Sequence, residues 1–192
     1  GALRGNPGLA IHRLPPVGAG GDRKVTPGIL RAATLSRTAE TSLKGMSEDL
    51  YYLLGASLDA YVGGRRWKGE YVVEFYQKSR HWLTEEIAPR LRALGFSYRV
   101  KTYKGRYHRL VVYSKRFHDL LWQAWKTLPN SSREELISFV KGVADAEASV
   151  HRKYNRIVVW QKNQDTLEFV RAILEANGIK CGKFTRSRDV LG

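Results

Sequence analysis

Residues 53–64 read LLGASLDAYVGG: an apolar run, a glycine, one carboxylate at Asp59, and then paired glycines. The stretch FVKGVADAEASV, starting at Phe139, has nearly the same form, with Gly142 and Glu147 in the corresponding places. Eighteen acids stand against 33 lysines and arginines in this chain. Two of those few acids sit at the foot of two similar apolar helices, and the fold has to account for both.

Outward from these runs the chain repeats. SEDLYYLLGASLDA begins with Ser47 and two acids, which suit a helix N-terminus and its dipole. YVGGRRWKGEYVVEFYQ predicts a β-hairpin, and KSRHWLTEEIAPRLRALG a helix closed by Gly95. FSYRVKTYKGRYHRLVVYSK predicts a second hairpin turning at Lys104–Gly105, and RFHDLLWQAWKTL a helix stopped by Pro129. The order then restarts. SSREELISFVKGVADAE opens with a capping box from Ser132 to Glu135. SVHRKYNRIVVWQ follows as a hairpin, KNQDTLEFVRAILEANG as a helix closed by Gly178, and IKCGKFTR as a strand.

Gln77–Lys78 matches Gln161–Lys162 at an offset of 84, Gly95 matches Gly178 at 83, and Gly55 matches Gly142 at 87. The drift places insertions and deletions in hairpin loops, where they are tolerated. The expected fold is α+β: a pseudo-two-fold tandem αββαββ(α) repeat with two central packed helices, in a monomer. The halves are 47–129 and a shortened 130–192, because only fourteen residues follow Gly178 and the counterpart of RLVVYSKRFHDLLWQAW is missing. Residues 1–46 hold four of the six prolines and no sustained periodicity, so they are set apart as an N-terminal extension or arm.

Composition narrows the partner. The net charge of +15 favours a polyanion: DNA, RNA or an acidic membrane. Basic proteins of hot environments and ribosome-associated fragments share such a balance. One cysteine, Cys181, excludes an internal disulfide and a cysteine-based zinc site. The five histidines are scattered without a ligand spacing, and no apolar run approaches a membrane span. A soluble, cytoplasmic protein is expected.

The paired LLGASLDA and VKGVADAE runs, each followed by a hairpin and a Gln-Lys pair, resemble the signatures of the LAGLIDADG homing endonucleases. The likeness covers about Ser47 to Phe184 and is greatest to the archaeal, intron-encoded type with two motifs in one chain. Elementary packing agrees. Gly55, Ala56, Gly142, Ala144 and Ala146 let two backbones approach. Helices crossing there bring Asp59 and Glu147 to one point, where they repel unless a cation lies between them. Oxygen ligands beside phosphate favour Mg2+ as the cofactor. The resemblance implies Asp59 and Glu147 as metal ligands and catalytic residues. It implies that Lys78 and Lys162 stabilise phosphate charge or organise solvent, and that Gln77 and Gln161 orient water. The lysines could equally anchor the DNA backbone. One departure stands out. Glu147 lies five residues past its glycine, the catalytic position of the family, but Asp59 lies four past Gly55, with Ala60 in fifth place. Either the helix end unwinds so that Asp59 still reaches the metal, or that half is impaired.

A β-saddle along double-stranded DNA would be decorated by Arg65, Arg66 and Lys68 in the first hairpin and by Arg99, Lys101, Tyr103, Arg106 and Arg109 in the next. His151, Lys153, Arg156, Lys180, Lys183 and Arg186 would serve the second half. The resemblance implies a site-specific double-strand endonuclease acting on a long asymmetric target at an intron insertion site. The alternative is an RNA maturase, or a DNA-binding or nicking relative with one impaired active site.

Overall fold

The computed structural model describes residues 36–65, 70–103 and 107–185. Arg66, Lys68, Arg106, Arg186, the Lys104–Gly105 turn and residues 1–35 lie outside them; for Arg65 and Tyr103 only the backbone is described. Helix α1 (Ser36–Ala56) passes through a 3-10 turn (Ser57–Asp59) into the hairpin β1 (Tyr61–Arg65) and β2 (Glu70–Gln77). Next comes one continuous helical segment: α2 (Arg80–Trp82), a π-helical turn (Leu83–Ile87) and α3 (Ala88–Ala93). Strands β3 (Arg99–Tyr103) and β4 (Tyr107–Tyr113) and helix α4 (Lys115–Thr127) complete the first unit. The second unit is α5 (Arg133–Glu147), β5 (Ala148–His151), β6 (Arg156–Val159) and α6 (Gln164–Ala176).

Repeated local chemistry builds repeated elements. Ser79 and Asn163, the residues after each Gln-Lys pair, accept from the backbone N–H groups of Trp82 and Thr166 and so cap the following helices. Those helices end on Gly95 and Gly178, at φ +77° and +79°, where a side chain would be strained. Phe96 N–H donates to Leu91 and Ile179 N–H to Leu174, the same Schellman closure twice. The capping box on α5 forms as expected, and the Ser47 hydroxyl of α1 donates to its Glu135.

Two expectations are corrected. The first helix is already formed at Ser36, the first described residue, well before Ser47, because the Ala, Glu, Leu and Lys residues of the segment before Gly45 are good helix formers that continue the same turn. The segment 179–185 forms no strand. A strand needs a neighbour to accept its hydrogen bonds, and the hairpin partner that β4 supplies in the first unit has no counterpart here. Phe96 is therefore 7% exposed, whereas Ile179, at the same place in its motif, is 52% exposed.

The first sheet has strand order β1-β2-β4-β3, all antiparallel, and β5-β6 form a separate ribbon. One face of the large sheet sends Val62, Val73, Phe75, Leu110 and Val112 into the core. The opposite face carries Tyr61, Glu74, Val111 and Arg99 in one row across the strands, and Tyr76, Arg109 and Lys101 in the next. Arg99 and Lys101 therefore fall on one face, as the alternation predicts.

Helices α1 and α5 form the centre. Residues 51–56 of α1 are all buried, as are Phe139, Gly142 and Val143 of α5. A methyl group on Gly55 would lie 2.0 Å from the Phe139 carbonyl oxygen, and one on Gly142 would lie 2.0 Å from that of Tyr52. The two contacts are symmetry mates, since Tyr52 corresponds to Phe139 at the same 87-residue offset that relates the glycines. Only glycine lets the helices touch backbone to backbone here, and that crossing sets where their ends emerge.

Candidate active site at the helix ends

The one-residue difference between the motifs is absorbed locally. From Ala56 to Asp59 the chain takes three steps as a 3-10 turn, whereas from Val143 to Glu147 it takes four α-helical steps. Three 3-10 steps and four α-helical steps each rise about 6 Å and complete about one turn. The chain then leaves both helices alike: Ala60 has φ −87° and ψ 157°, and Ala148 has φ −92° and ψ 151°. Asp59 and Glu147 are thus each the last helical residue before a hairpin.

Electrostatics register their proximity. Glu147 is pushed from the ordinary 4.5 up to about 7, first by burial and then by the negative charge of Asp59, against the pull of Gln161 and Lys162. Asp59 is also raised by burial, with Lys162 opposing. Although exposed as a residue, Asp59 lines a small recess with Ala56, Phe75, Gln77, Trp82 and Ala146, and that partial enclosure desolvates its carboxylate.

The Gln-Lys pairs are alike in backbone and different in contact. Gln77 Oε1 accepts from Lys78 N–H at 2.9 Å, and Gln161 Oε1 from Lys162 N–H at 2.7 Å. Gln161 Nε2 also donates to Glu147 Oε1 at 2.9 Å, whereas Gln77 makes no such bond to Asp59 among the described residues. Lys162 acts on both carboxylates, while Lys78 extends over the Tyr107 ring, 5.8 Å from its centroid.

The remaining basic residues divide. Arg99, Lys101, Lys153, Arg156, Lys180 and Lys183 are exposed, and His151 is half-buried against the Ser149 hydroxyl. Arg109 is drawn inward, with Nη1 3.7 Å from Glu74 Oε2.

A cluster behind the site is not legible in the sequence. Tyr52 donates to Asp145 Oδ2 at 2.6 Å and accepts from Trp82 Nε1 at 3.1 Å, and the Arg90 guanidinium stacks 3.7 Å from its ring centroid. Burial and the Asp145 carboxylate push the Tyr52 hydroxyl well above its usual range. Asp145 is two residues from Glu147, about 200° around the helix, and so braces the crossing rather than joining the acid pair. Only the acidic spacing within DAE hinted at it.

No protein-family model matches the chain, and no curated protein matches it. Solved structures do. A variant of the homing endonuclease I-DmoI, in complex with its target DNA in the presence of magnesium, is 26% identical with a TM-score of 0.59, over 70% of this chain and 80% of that one. I-DmoI in complex with DNA and manganese gives 26% and 0.58, over 69% and 79%. The N-terminal LAGLIDADG domain of DUF199/WhiA shares the fold at 18% identity and a TM-score of 0.50, over 79% and 78%. Among the described residues no helix is long and apolar enough to cross a membrane.

Proposed function

We propose that this chain, whose fold is that of the LAGLIDADG homing endonucleases, is a monomeric, site-specific endonuclease that hydrolyses both strands of double-stranded DNA at an intron insertion site with Mg2+. The observation that carries the reading is the delivery of Asp59 and Glu147, one from each half, to the ends of two helices in backbone contact. The halves are residues 47–129 and 130–192, with 1–46 as an extension whose helical end runs into the first half.

The donor set suits a divalent ion. Two like-charged carboxylates disfavour each other, and among the described residues no group of three or more His, Cys, Asp or Glu could hold a metal alone. Phosphate and water oxygens would complete the coordination, as Mg2+ accepts. When bound, the ion supplies Lewis acidity and a water of lowered pKa.

The protein's own groups do the rest. Asp59 and Glu147 hold their charge at the scissile position. Gln161, engaged at both ends of its amide, positions the Glu147 carboxylate rather than a water. Lys162 offsets the acid pair and offers a point charge to the phosphate. The exposed cations of β3 and of the β5-β6 ribbon draw the DNA backbone along the sheets.

A nicking relative is the second reading, favoured by the missing bond between Gln77 and Asp59. The test is incubation with Mg2+ and a supercoiled plasmid library of intronless insertion sites. Linear product is expected, and Glu147→Gln should bind the same DNA without cutting it. Nicked circles alone would support the second reading; linear product from E147Q at the wild-type rate would remove the assignment.

A further inference from the structure

The four-stranded sheet carries a buried carboxylate in the middle of a strongly basic face. Glu74 is 4% exposed, yet it shares that face with Arg99, Lys101 and Arg109. It accepts from the Tyr76 hydroxyl and pairs with Arg109, whose Nη1 lies 3.7 Å away. Tyr76 and Arg109 are cross-strand partners, and Lys101 is the next residue in the same row.

Strand order decides what each cation can reach. Neighbouring strands are about 4.8 Å apart, so the outer two of four are separated by about 14 Å. The major groove is about 12 Å wide. A sheet laid along it therefore sets β1 and β3 against the phosphate walls and β2 and β4 over the base edges. Arg99 and Lys101 stand on the edge strand β3; Arg109 stands on the inner strand β4. A reader of base edges also needs a fixed guanidinium plane, because two parallel hydrogen bonds have to align together. The side chain of Arg109 is only 27% exposed and is held by the carboxylate beneath it, whereas Arg99 and Lys101 are exposed.

We propose that Arg109 reads a guanine in the first half-site through its O6 and N7 acceptors, and that Glu74, braced by Tyr76, is the positioning residue that orients it. The proposal rests on the site-specific DNA reading above. It separates base readout by Arg109 from backbone positioning by Arg99 and Lys101.

The test is selection of bound duplexes from a randomised DNA library, with EDTA present so that nothing is cut. Wild-type protein should enrich one sequence with a fixed guanine in one half. Arg109→Lys keeps the charge and should lose about ten- to a hundredfold of the preference at that base pair alone, with an unchanged salt slope. Glu74→Gln should weaken the same preference at the same base pair, and melting curves of both variants verify that they are folded. The proposal is overturned if Arg109→Ala weakens all sequences alike and lowers the slope of log affinity against log salt by about one, the mark of a phosphate contact. A selected sequence unchanged in every variant overturns it as well, leaving the pair a structural role. Should wild-type protein enrich no sequence, the site-specific function itself falls, an outcome distinct from the other two.

Discussion

Replacing Glu147 by Gln should stabilise the protein at alkaline pH while it abolishes cutting. The unfolded carboxyl ionises near 4.5, and the folded one is pushed up to about 7 by burial and by Asp59. Below pH 4.5 both states are protonated and nothing is lost. Between 4.5 and 7 the unfolded chain releases its proton first, so stability falls as pH rises; above 7 the loss is complete. A rise of about 2.5 in pKa corresponds to about 3 kcal/mol. Glu147 is only half-buried, so solvent screening reduces this to about 1–2 kcal/mol. Glutamine keeps an oxygen to accept from Gln161 and carries no charge. Thermal melts of wild type and E147Q in EDTA should therefore differ little at pH 4 and by about 3–6 °C at pH 8.5, with the variant higher. Adding Mg2+ at pH 8.5 should raise the wild type and leave E147Q unmoved. Equal melting differences at both pH values, or a variant destabilised at pH 8.5, would refute the claim that the two acids burden each other.

Two further substitutions probe the frame and the positioning of the site. Gly142→Ala puts a methyl group 2.0 Å from the Tyr52 carbonyl oxygen and 2.8 Å from the Ala56 nitrogen, both backbone atoms. A loss of about 3 kcal/mol or more in chemical denaturation is expected, and a change within about 0.5 kcal/mol would show that the helices are not in contact. Gln161→Ala removes the hydrogen bond that lowers the Glu147 pKa. The acidic limb of the cutting-rate profile should move to higher pH, and an unmoved limb would argue that Gln161 acts elsewhere.

Much of the molecule is legible without coordinates because its signals are local. Ser132 and Glu135 announce a helix start, Gly95 and Gly178 announce helix ends, and alternating aromatic and β-branched runs announce hairpins. Repetition of these signals at offsets of 83 to 87 residues exposes the internal symmetry, and the acid at the foot of each central helix marks the candidate site. The helix before Ser47 is hidden in the sequence because Gly45 and Met46 look like a boundary, although the helix formers before them carry the turn.

Other features depend on surroundings that no short window contains. Spacing alone leaves Asp59 one residue out of place; in the fold Ser57–Asp59 form a 3-10 turn whose rise of about 6 Å matches that of the four α-helical steps leading to Glu147. Residues 179–185 have the composition of a strand, yet with no neighbour to accept their hydrogen bonds they form none. Arg109 reads like any other cation on a strand until its row across the sheet meets buried Glu74. Composition and periodicity describe what a segment prefers to be, and they settle the elements and their order. Which carboxylate, amide or guanidinium meets another is set by the packing of distant segments, because a charge or a hydrogen bond acts over a few ångströms of space whatever the separation along the chain.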